Sequence, residues 1–187
     1  MNQPVTGLVL AGGQSRRMGT DKGLVVYRGI RLIERALSIL TPLCNELLIS
    51  TSNRYYGIYG YRLVGDSITG VGPGAGILAG LQEAANPAVV VISVDTPNIT
   101  SDFLRQLLSI TGSGDAVIPR HPNGFIEPLC AVYQKQAASV VEQALHAGTY
   151  KLTDILSLLK VTYCDIPPAV NAKFLFHNIN TKDDLNQ

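Results

Sequence analysis

Two patterns of hydrophobic residues take turns along the chain: short continuous runs, which predict strands, and residues at helical spacing, which predict helices. Residues 5–10 and 88–94 are the strongest apolar runs, and such runs are typical of strands covered by helices on both faces. Between them, residues 33–40 place apolar side chains at i, i+3, i+4 and i+7, which predicts an amphipathic helix. The same signals predict further strands at 47–49, 61–64, 116–118, 129–133 and 161–166, and further helices at 77–84, 101–108, 137–145 and after 181.

The order of these elements predicts the fold class. Strands and helices alternate, which implies right-handed crossovers between parallel strands. We therefore expect an α/β fold, a three-layer, doubly wound and mostly parallel sheet. The 187 residues are close to the ~150-residue length of one domain and no linker divides them, so we predict a single domain over residues 1–187.

Composition excludes several classes of protein. Apolar residues make up 46% of the chain and charged residues 16%, which excludes a disordered chain. The formal charge of +1 gives no electrostatic reason to expect a nucleic-acid or membrane partner. No apolar run approaches the ~18 residues that span a bilayer, and no secretory signal is visible. We expect a cytoplasmic protein.

Cysteines and histidines show no spacing typical of a metal site or a catalytic set. The cysteines stand far apart and form no Cys-x-x-Cys pair: Cys44, Cys130 and Cys164. We expect reduced, mostly buried thiols. The histidines are most simply interpreted as surface or loop residues: His121, His146 and His177.

The turn after the first strand carries the most informative residues. Gly12 and Gly13 leave no Cβ between the main chain and a ligand, so consecutive N–H groups can point at phosphate oxygens. Three cationic side chains follow within seven positions: Arg16, Arg17 and Lys22. Because ligands of open α/β sheets bind at the carboxyl ends of the strands, this combination predicts a polyphosphate-binding loop. The alternative is a tight turn with solvated basic residues.

Two acidic residues stand where strands end. Asp95 follows the central run and is positioned to hold Mg²⁺, although an Asp before Thr-Pro also caps turns, and the residues alone leave both readings open. Asp66 carries the same ambiguity. Between these two residues, positions 74–79 match the Gly-x-Gly-x-x-Ala pattern of dinucleotide-binding sites. The match is weak evidence for such a site, because no strand leads directly into it. We interpret 70–76 as a flexible, ligand-facing loop that opens a helix.

Taken together, these segments resemble one family of enzymes. Residues 10–22, Leu-Ala-Gly-Gly-Gln-Ser-Arg-Arg-Met-Gly-Thr-Asp-Lys, are similar to the signature of the molybdenum cofactor guanylyltransferases, the MobA family. Shorter motifs follow in the family's order: Asp-Ser at 66–67, Gly-Pro-Gly-Ala-Gly at 72–76, Asp-Thr-Pro at 95–97, Pro-Leu-Cys-Ala-Val-Tyr at 128–133 and Phe-His-Asn-Ile-Asn-Thr at 176–181. The resemblance spans nearly the whole chain and implies a Rossmann-like nucleotidyltransferase fold.

The resemblance also implies a role for individual residues. Nucleotide binding would fall to Leu10, Ala11, Gly12, Gly13, Lys22, Asp66 and Asp95. The pterin side would be lined by Arg17, Asn178 and Asn180, although both asparagines can also serve the turn before Thr181. Catalysis would rest on Lys22, Asp95 and Arg16, with Asp95 as the ligand of Mg²⁺. Some family members carry an asparagine where this chain has Thr51, whose hydroxyl cannot replace both amide donors.

The implied reaction is transfer of GMP from GTP to the terminal phosphate of molybdenum-molybdopterin, with release of pyrophosphate. That phosphate is already ionised, so no general base is needed. Partners implied are GTP, molybdenum-molybdopterin and cofactor-delivery proteins or molybdoenzyme chaperones. Two alternatives stay open: a molybdopterin cytidylyltransferase, which typically has alanine at the position of Gly12, and a chaperone that holds nucleotide or cofactor without transferring anything. A sugar-1-phosphate nucleotidyltransferase fits the short chain and the Asn-Ile-Asn-Thr segment less well.

Overall fold

A seven-stranded mixed sheet forms the centre of the molecule. The computed structural model describes residues 3–12, 21–65, 68, 70–110, 114–181 and 183–186. The strands are β1 (Val5–Leu10), β2 (Val26–Tyr27), β3 (Ile30–Arg31), β4 (Glu46–Ser50), β5 (Arg62–Val64), β6 (Ala88–Ser93), β7 (Ala116–Arg120), β8 (Cys130–Gln134) and β9 (Val161–Asp165). The sheet order is β5-β4-β1-β6-β8-β7-β9, and β2 and β3 form a separate hairpin. Only β8 runs antiparallel to its neighbours in this sheet.

The two strongest apolar runs of the sequence occupy adjacent central positions. β1 pairs in parallel with β4 on one side and with β6 on the other. Leu10, at the end of β1, stands opposite both Ser50 and Ser93, so the three strands end at the same level. Their carboxyl ends therefore form one continuous edge.

Helices cover both faces of the sheet. The helices are α1 (Leu32–Leu40), α2 (Pro73–Glu83), α3 (Ser101–Ile110), α4 (Ala138–His146), α5 (Leu152–Leu156) and α6 (Ala172–Leu175), with 3-10 turns at Lys22–Leu24, Arg54–Tyr59, Lys135–Ala137 and Asp183–Asn186. Alternate β1 residues divide between two cores: Val9 packs with α1 and α3, and Leu8 packs with α2, α4 and α5. The predicted three-layer, mostly parallel α/β architecture is confirmed. Across the described ranges, no helix is both long and apolar enough to cross a membrane.

The segment at 70–76 differs from its prediction as a ligand-facing loop. α2 already begins at Pro73, after Gly72, whose φ of 83° only glycine adopts readily. Gly74 and Gly76 are buried inside the helix. A Cβ at Gly74 would lie 3.3 Å from Ile155 and 3.4 Å from Leu145, so this glycine lets α4 and α5 pack close to α2. The prediction of a loop is wrong for residues 73–76, because they already belong to α2. At Gly74, close helix packing explains the small residue.

Candidate active site

The central strands remain hydrogen-bonded to one another up to the edge formed by their carboxyl ends. Ala11 N donates to Ser50 O at 2.9 Å and Val94 N donates to Leu10 O at 3.2 Å, so the strands stay paired to their last residues. The side chains of Leu10 and Ala11 are buried, whereas Gly12 is exposed at the rim. Any contact that Leu10 and Ala11 make with a ligand is therefore made by their main chain.

The structure brings Lys22, Asp95 and Asn180 together at this edge. Lys22 Nζ donates to Asp95 Oδ2 at 3.1 Å and to Asn180 Oδ1 at 3.0 Å. Ile179 N donates to Asp95 O at 2.8 Å, which fixes the C-terminal segment beside the end of β6. Residues 158 positions apart thus share one cluster, in which a carboxylate and an amide flank a cation.

A hydrogen-bond network that no sequence pattern predicts holds the main chain next to Lys22. Asp21 Oδ1 accepts from the Tyr56 hydroxyl and from Gly23 N at 3.1 Å, and Asp21 Oδ2 accepts from Asn53 Nδ2 at 2.8 Å. Burial raises the pKa of Tyr56 above its ordinary value, which keeps the phenol protonated as a donor. A Cβ at Gly23 would lie 2.3 Å from the Tyr56 hydroxyl oxygen, so glycine is required there. Asp21 belongs to the first motif, but no pattern in the sequence singled out Tyr56.

Thr51 serves the turn after β4. Its side chain is buried and its hydroxyl accepts from Asn53 N at 3.1 Å. This bond is a local turn contact of a kind that Ser and Thr commonly make. The Thr51 hydroxyl, at the position where some members of the similar family carry an asparagine, is therefore used within the protein.

The C-terminal segment is ordered by Asp184. Its Oδ2 accepts from Asn180 N at 2.8 Å, from Thr181 N at 2.7 Å and from the Thr181 hydroxyl at 3.0 Å. These three hydrogen bonds hold the pKa of Asp184 below its ordinary value, and the bond from Asn180 N has the largest effect. The bond from Thr181 N to the Asp184 carboxylate, three residues later, is one of the two bonds of a capping box. They set the main chain of the residue that contacts Lys22.

A cleft of about 510 Å³ opens next to this segment. Its lining residues come from two chain regions: His121, Asn123, Phe125 and Glu127, and Ala172, Lys173, Phe176, His177, Asn178 and Asn180. Both asparagines predicted for the pterin side therefore share a cleft. A smaller depression of about 240 Å³ adjoins it and shares Lys173 and His177.

The histidines are placed differently from one another. His146 is exposed at the end of α4, as expected. His121 lies in a loop, but its side chain is only 17% exposed and pairs with Glu127, with 2.8 Å between His121 Nε2 and Glu127 Oε1. The His177 Nε2 atom is buried and has no hydrogen-bond partner within the described ranges. The interpretation as simple surface or loop residues is therefore incomplete for the two histidines that line the cleft.

The three cysteines have the properties expected of unreactive thiols. All are free, Cys130 is buried, and Cys44 and Cys164 are half-buried. Burial raises the pKa of Cys44 to about 12 and raises the pKa values of Cys130 and Cys164. Since the thiolate is the nucleophilic form, these thiols are poor nucleophiles at neutral pH.

Asp95 has the donor chemistry that Mg²⁺ prefers, because carboxylate oxygen is a hard ligand. In the part of the chain that the structure describes, no group of three or more His, Cys, Asp or Glu residues could hold a metal ion alone. A metal at Asp95 would therefore take its remaining ligands from substrate oxygens and water, as Mg²⁺ commonly does. The site fits a substrate-borne metal better than a permanent protein cage.

Four predicted site residues lie outside the described residues: Gly13, Arg16, Arg17 and Asp66. Their assignments stay predictions. The predicted residues that the structure does describe all lie at the carboxyl edge of the sheet or in the adjoining cleft: Leu10, Ala11, Gly12, Lys22, Asp95, Asn178 and Asn180.

Comparison with known proteins gives consistent results at three levels. A family model described as the MobA-like NTP transferase domain matches residues 7–167. A probable molybdenum cofactor guanylyltransferase of Pelotomaculum thermopropionicum is 34% identical over 96% of this chain and 89% of its own. A molybdenum cofactor guanylyltransferase of Pseudomonas putida is 37% identical over 82% of each chain. The crystal structure of molybdopterin-guanine dinucleotide biosynthesis protein A from Archaeoglobus fulgidus is 31% identical, with a TM-score of 0.82, and covers 97% of this chain and 95% of that one.

Proposed function

Because this chain belongs to the MobA-like NTP transferase family, we propose that it transfers GMP from GTP to the terminal phosphate of molybdenum-molybdopterin. The products are the guanine dinucleotide form of the cofactor and pyrophosphate. One observation carries the proposal: Lys22 Nζ lies 3.1 Å from Asp95 Oδ2 and 3.0 Å from Asn180 Oδ1, at the edge where α/β sheets bind ligands. A nucleotide side and an acceptor side therefore meet at one charged cluster. The names of the similar proteins support the same substrates.

The substrates take opposite sides of Asp95. The triphosphate lies over the β1 turn, with Leu10, Ala11, Gly12 and Gly13 offering main-chain groups and Lys22 offering its ammonium; Asp66 also belongs to this side. The pterin lies toward the cleft, against Asn178, Asn180 and Arg17. We treat residues 1–187 as one nucleotidyltransferase domain.

The reaction is an in-line displacement at the α-phosphorus. A phosphate oxygen of molybdopterin forms the new P–O bond, the bond between the α-phosphorus and the bridging oxygen of the β-phosphate breaks, and pyrophosphate leaves with that electron pair. The attacking oxygen is already ionised, so no protein base has to remove a proton. The two anions repel each other, and Lys22, with Arg16, lowers that repulsion by placing positive charge at the reacting phosphates.

Asp95 is the residue that would hold Mg²⁺, and the ion would neutralise phosphate charge when it is bound. In the structure as described, Lys22 is the cation that contacts Asp95. We propose that Lys22 turns from Asp95 toward the triphosphate when the nucleotide enters. Asn180 Oδ1, the second acceptor of Lys22, holds the ammonium at the edge of the cleft.

Gly12 supports GTP over CTP. Among the described residues, a Cβ at this position would meet Ser50 O alone, at the ordinary contact distance of 3.7 Å, so these neighbours do not require glycine. The residue is exposed at the rim of the nucleotide side. The absent methyl group leaves space for a ligand, and a purine needs more space than a pyrimidine.

The first experiment mixes purified protein with Mg²⁺, molybdenum-molybdopterin and either GTP or CTP. We expect pyrophosphate release and a guanine dinucleotide product, detected by mass spectrometry, with much slower turnover of CTP. Binding of GTP and cofactor without any pyrophosphate would show a carrier instead, and faster turnover of CTP would show a cytidylyltransferase. We place the reaction in the cytoplasm, with molybdoenzyme chaperones or delivery proteins as recipients of the product.

A further inference from the structure

A second polar pair lies in the cleft and takes no part in the transfer step. His121 Nε2 donates to Glu127 Oε1 at 2.8 Å, and each side chain is 17% exposed. The main chain around the pair is fixed, because His121 N donates to Phe125 O at 2.7 Å and Glu127 N donates to Pro119 O at 3.0 Å. The pair is therefore held in place by the connection between β7 and β8.

Aromatic rings surround this pair. The His121 ring packs against Phe125 and Phe176, with ring centroids 5.7 Å and 5.2 Å apart. Phe176 is buried, but Phe125 is 63% exposed although it lines the cleft. A flat heterocycle that entered the cleft would find an aromatic surface beside a carboxylate.

The contacts of Glu127 do not explain why the residue is acidic. Among the described residues, Glu127 Oε2 accepts no hydrogen bond, and only Oε1 is used, by His121. Burial raises the pKa of Glu127 above its ordinary value, and His121 opposes that rise. The fold therefore uses only one of the two carboxylate oxygens, and Oε2 is left for a ligand in the cleft.

We propose that Glu127 recognises the pterin by accepting hydrogen bonds from its 2-amino group and N3–H, with His121 as a positioning residue. The inference rests on the proposed function, which supplies the pterin. Two adjacent donors match the two oxygens of one carboxylate, and such charge-assisted bonds are stronger than neutral ones. Asn178 and Asn180 line the same cleft, so three hydrogen-bonding side chains surround the heterocycle.

Guanine carries the same pair of donors, so the position of Glu127 decides between the two rings. β8 pairs with β6 on the side away from β1, and Ile92 stands opposite Cys130. Glu127 precedes Cys130 and therefore lies across the end of β6 from Gly12 and the nucleotide turn. This placement assigns Glu127 to the pterin.

Glu127→Gln tests the proposal, because glutamine keeps the size and the Oε1 acceptor but presents an N–H₂ donor to the ligand's donors. We expect the KM for molybdopterin to rise about tenfold or more, as for loss of one charge-assisted bond, while the KM for GTP stays within about twofold. Glu142→Gln is the matched control; Glu142 lies on α4, where its Oε1 accepts from Gln82 Nε2 at 3.0 Å. It should change neither KM.

GTP and ITP are compared in the same variants, since ITP lacks the 2-amino group. We expect Glu127→Gln to leave the preference for GTP over ITP unchanged. If that preference disappears, Glu127 recognises guanine and the proposal is overturned. An unchanged KM for molybdopterin overturns it as well, while wild-type product formation in the same assay keeps the proposed function intact. A wild-type protein that forms no product removes the proposed function, and this inference with it.

Two variants of His121 test its positioning role. His121→Gln keeps an N–H donor for Glu127, whereas His121→Leu removes it. We expect His121→Leu to raise the KM for molybdopterin with little change in kcat, and His121→Gln to restore most of the lost affinity. Equal effects of both variants, each with an unchanged melting temperature, would show that His121 does not act through Glu127.

Discussion

The ion pair between Lys22 and Asp95 should matter far more for turnover than for stability. Both side chains are mostly covered, with 19% and 22% exposed, and their charged atoms lie 3.1 Å apart. For an ion pair of intermediate exposure, neutralising one partner lowers the free energy of unfolding by about 1–2 kcal/mol. For a chain of this length, that loss lowers the melting temperature by about 2–8 °C.

The expected effect on catalysis is larger. Removing one preorganised group that stabilises developing charge costs about 100- to 1000-fold in kcat, or roughly 3–4 kcal/mol. Lys22→Met keeps the aliphatic length of the side chain and removes the charge, and Asp95→Asn keeps its shape. We expect each variant to melt within a few degrees of the wild type and to lose at least about 100-fold in pyrophosphate release at saturating GTP.

The assay combines thermal melting with steady-state kinetics, and a second ion pair supplies the control. Lys151 and Asp154 form a 3.8 Å pair on a highly exposed surface. Lys151→Met removes the same charge and should leave kcat and the melting temperature unchanged. A folded Lys22→Met variant with kcat and KM for GTP within about twofold of the wild type would refute the reasoning, because the Lys22–Asp95 pair would then be structural only.

Three further changes test the parts that surround this pair. Tyr56→Phe removes the phenol that donates to Asp21. We expect the free energy of unfolding, measured with denaturant, to fall by about 1.5–3 kcal/mol, and kcat to fall as well. Unchanged values of both would show that the Asp21 network does not position Lys22. Gly12→Ala should fold with nearly wild-type stability but lose preference for GTP over CTP, measured by competition between the nucleotides. Asp184→Asn should weaken molybdopterin binding, because Asp184 positions the main chain of Asn180. The variant should also melt at a lower temperature than the wild type. This difference should be full above pH 3.8, the ordinary pKa of Asp, and should fade as the pH falls through the lower pKa of Asp184 in the folded protein.

Much of the fold follows from local patterns in the sequence. β1 and β6 are buried on both faces and occupy the centre of the sheet, as expected for strands with long, mainly apolar runs. The spacing of α1 gives one buried face, with Ile33, Ala36, Leu37 and Leu40 all in the core. The carboxyl-end rule then predicts that the residues after β1 and β6 share an edge, where Lys22 and Asp95 lie together.

Hydrophobic patterns do not predict the shortest strands. β2 and β3 have two residues each, too few to show any alternation. Their turn places Arg28 at φ 49° and Gly29 at φ 80°, and the first of these positions usually carries Asn, Asp or Gly. Because an arginine stands at this position, the sequence lacks the usual turn signal of a hairpin. Tyr56 was missed for a different reason: its partner Asp21 is 35 positions away, and no local signal links the two.

The direction of β8 explains why Glu127 was also missed. A strand motif fixes neither the neighbours of a strand nor its direction, and in a wholly parallel sheet the residues before a strand lie at the edge opposite the active site. β8 instead runs antiparallel between β6 and β7, with Val90 opposite Val132 and Ile92 opposite Cys130. The residues that precede β8 therefore reach the same edge as those that follow β6, which brings Glu127 to the side of the sheet where Asp95 emerges. Burial is the main cause of the raised pKa of Glu127, and the charge of Asp95 adds to it, which is consistent with this placement. In a wholly parallel sheet, only residues that follow strands would line this cleft. Because β8 is antiparallel, a residue that precedes a strand, Glu127, adds its carboxylate to the cleft.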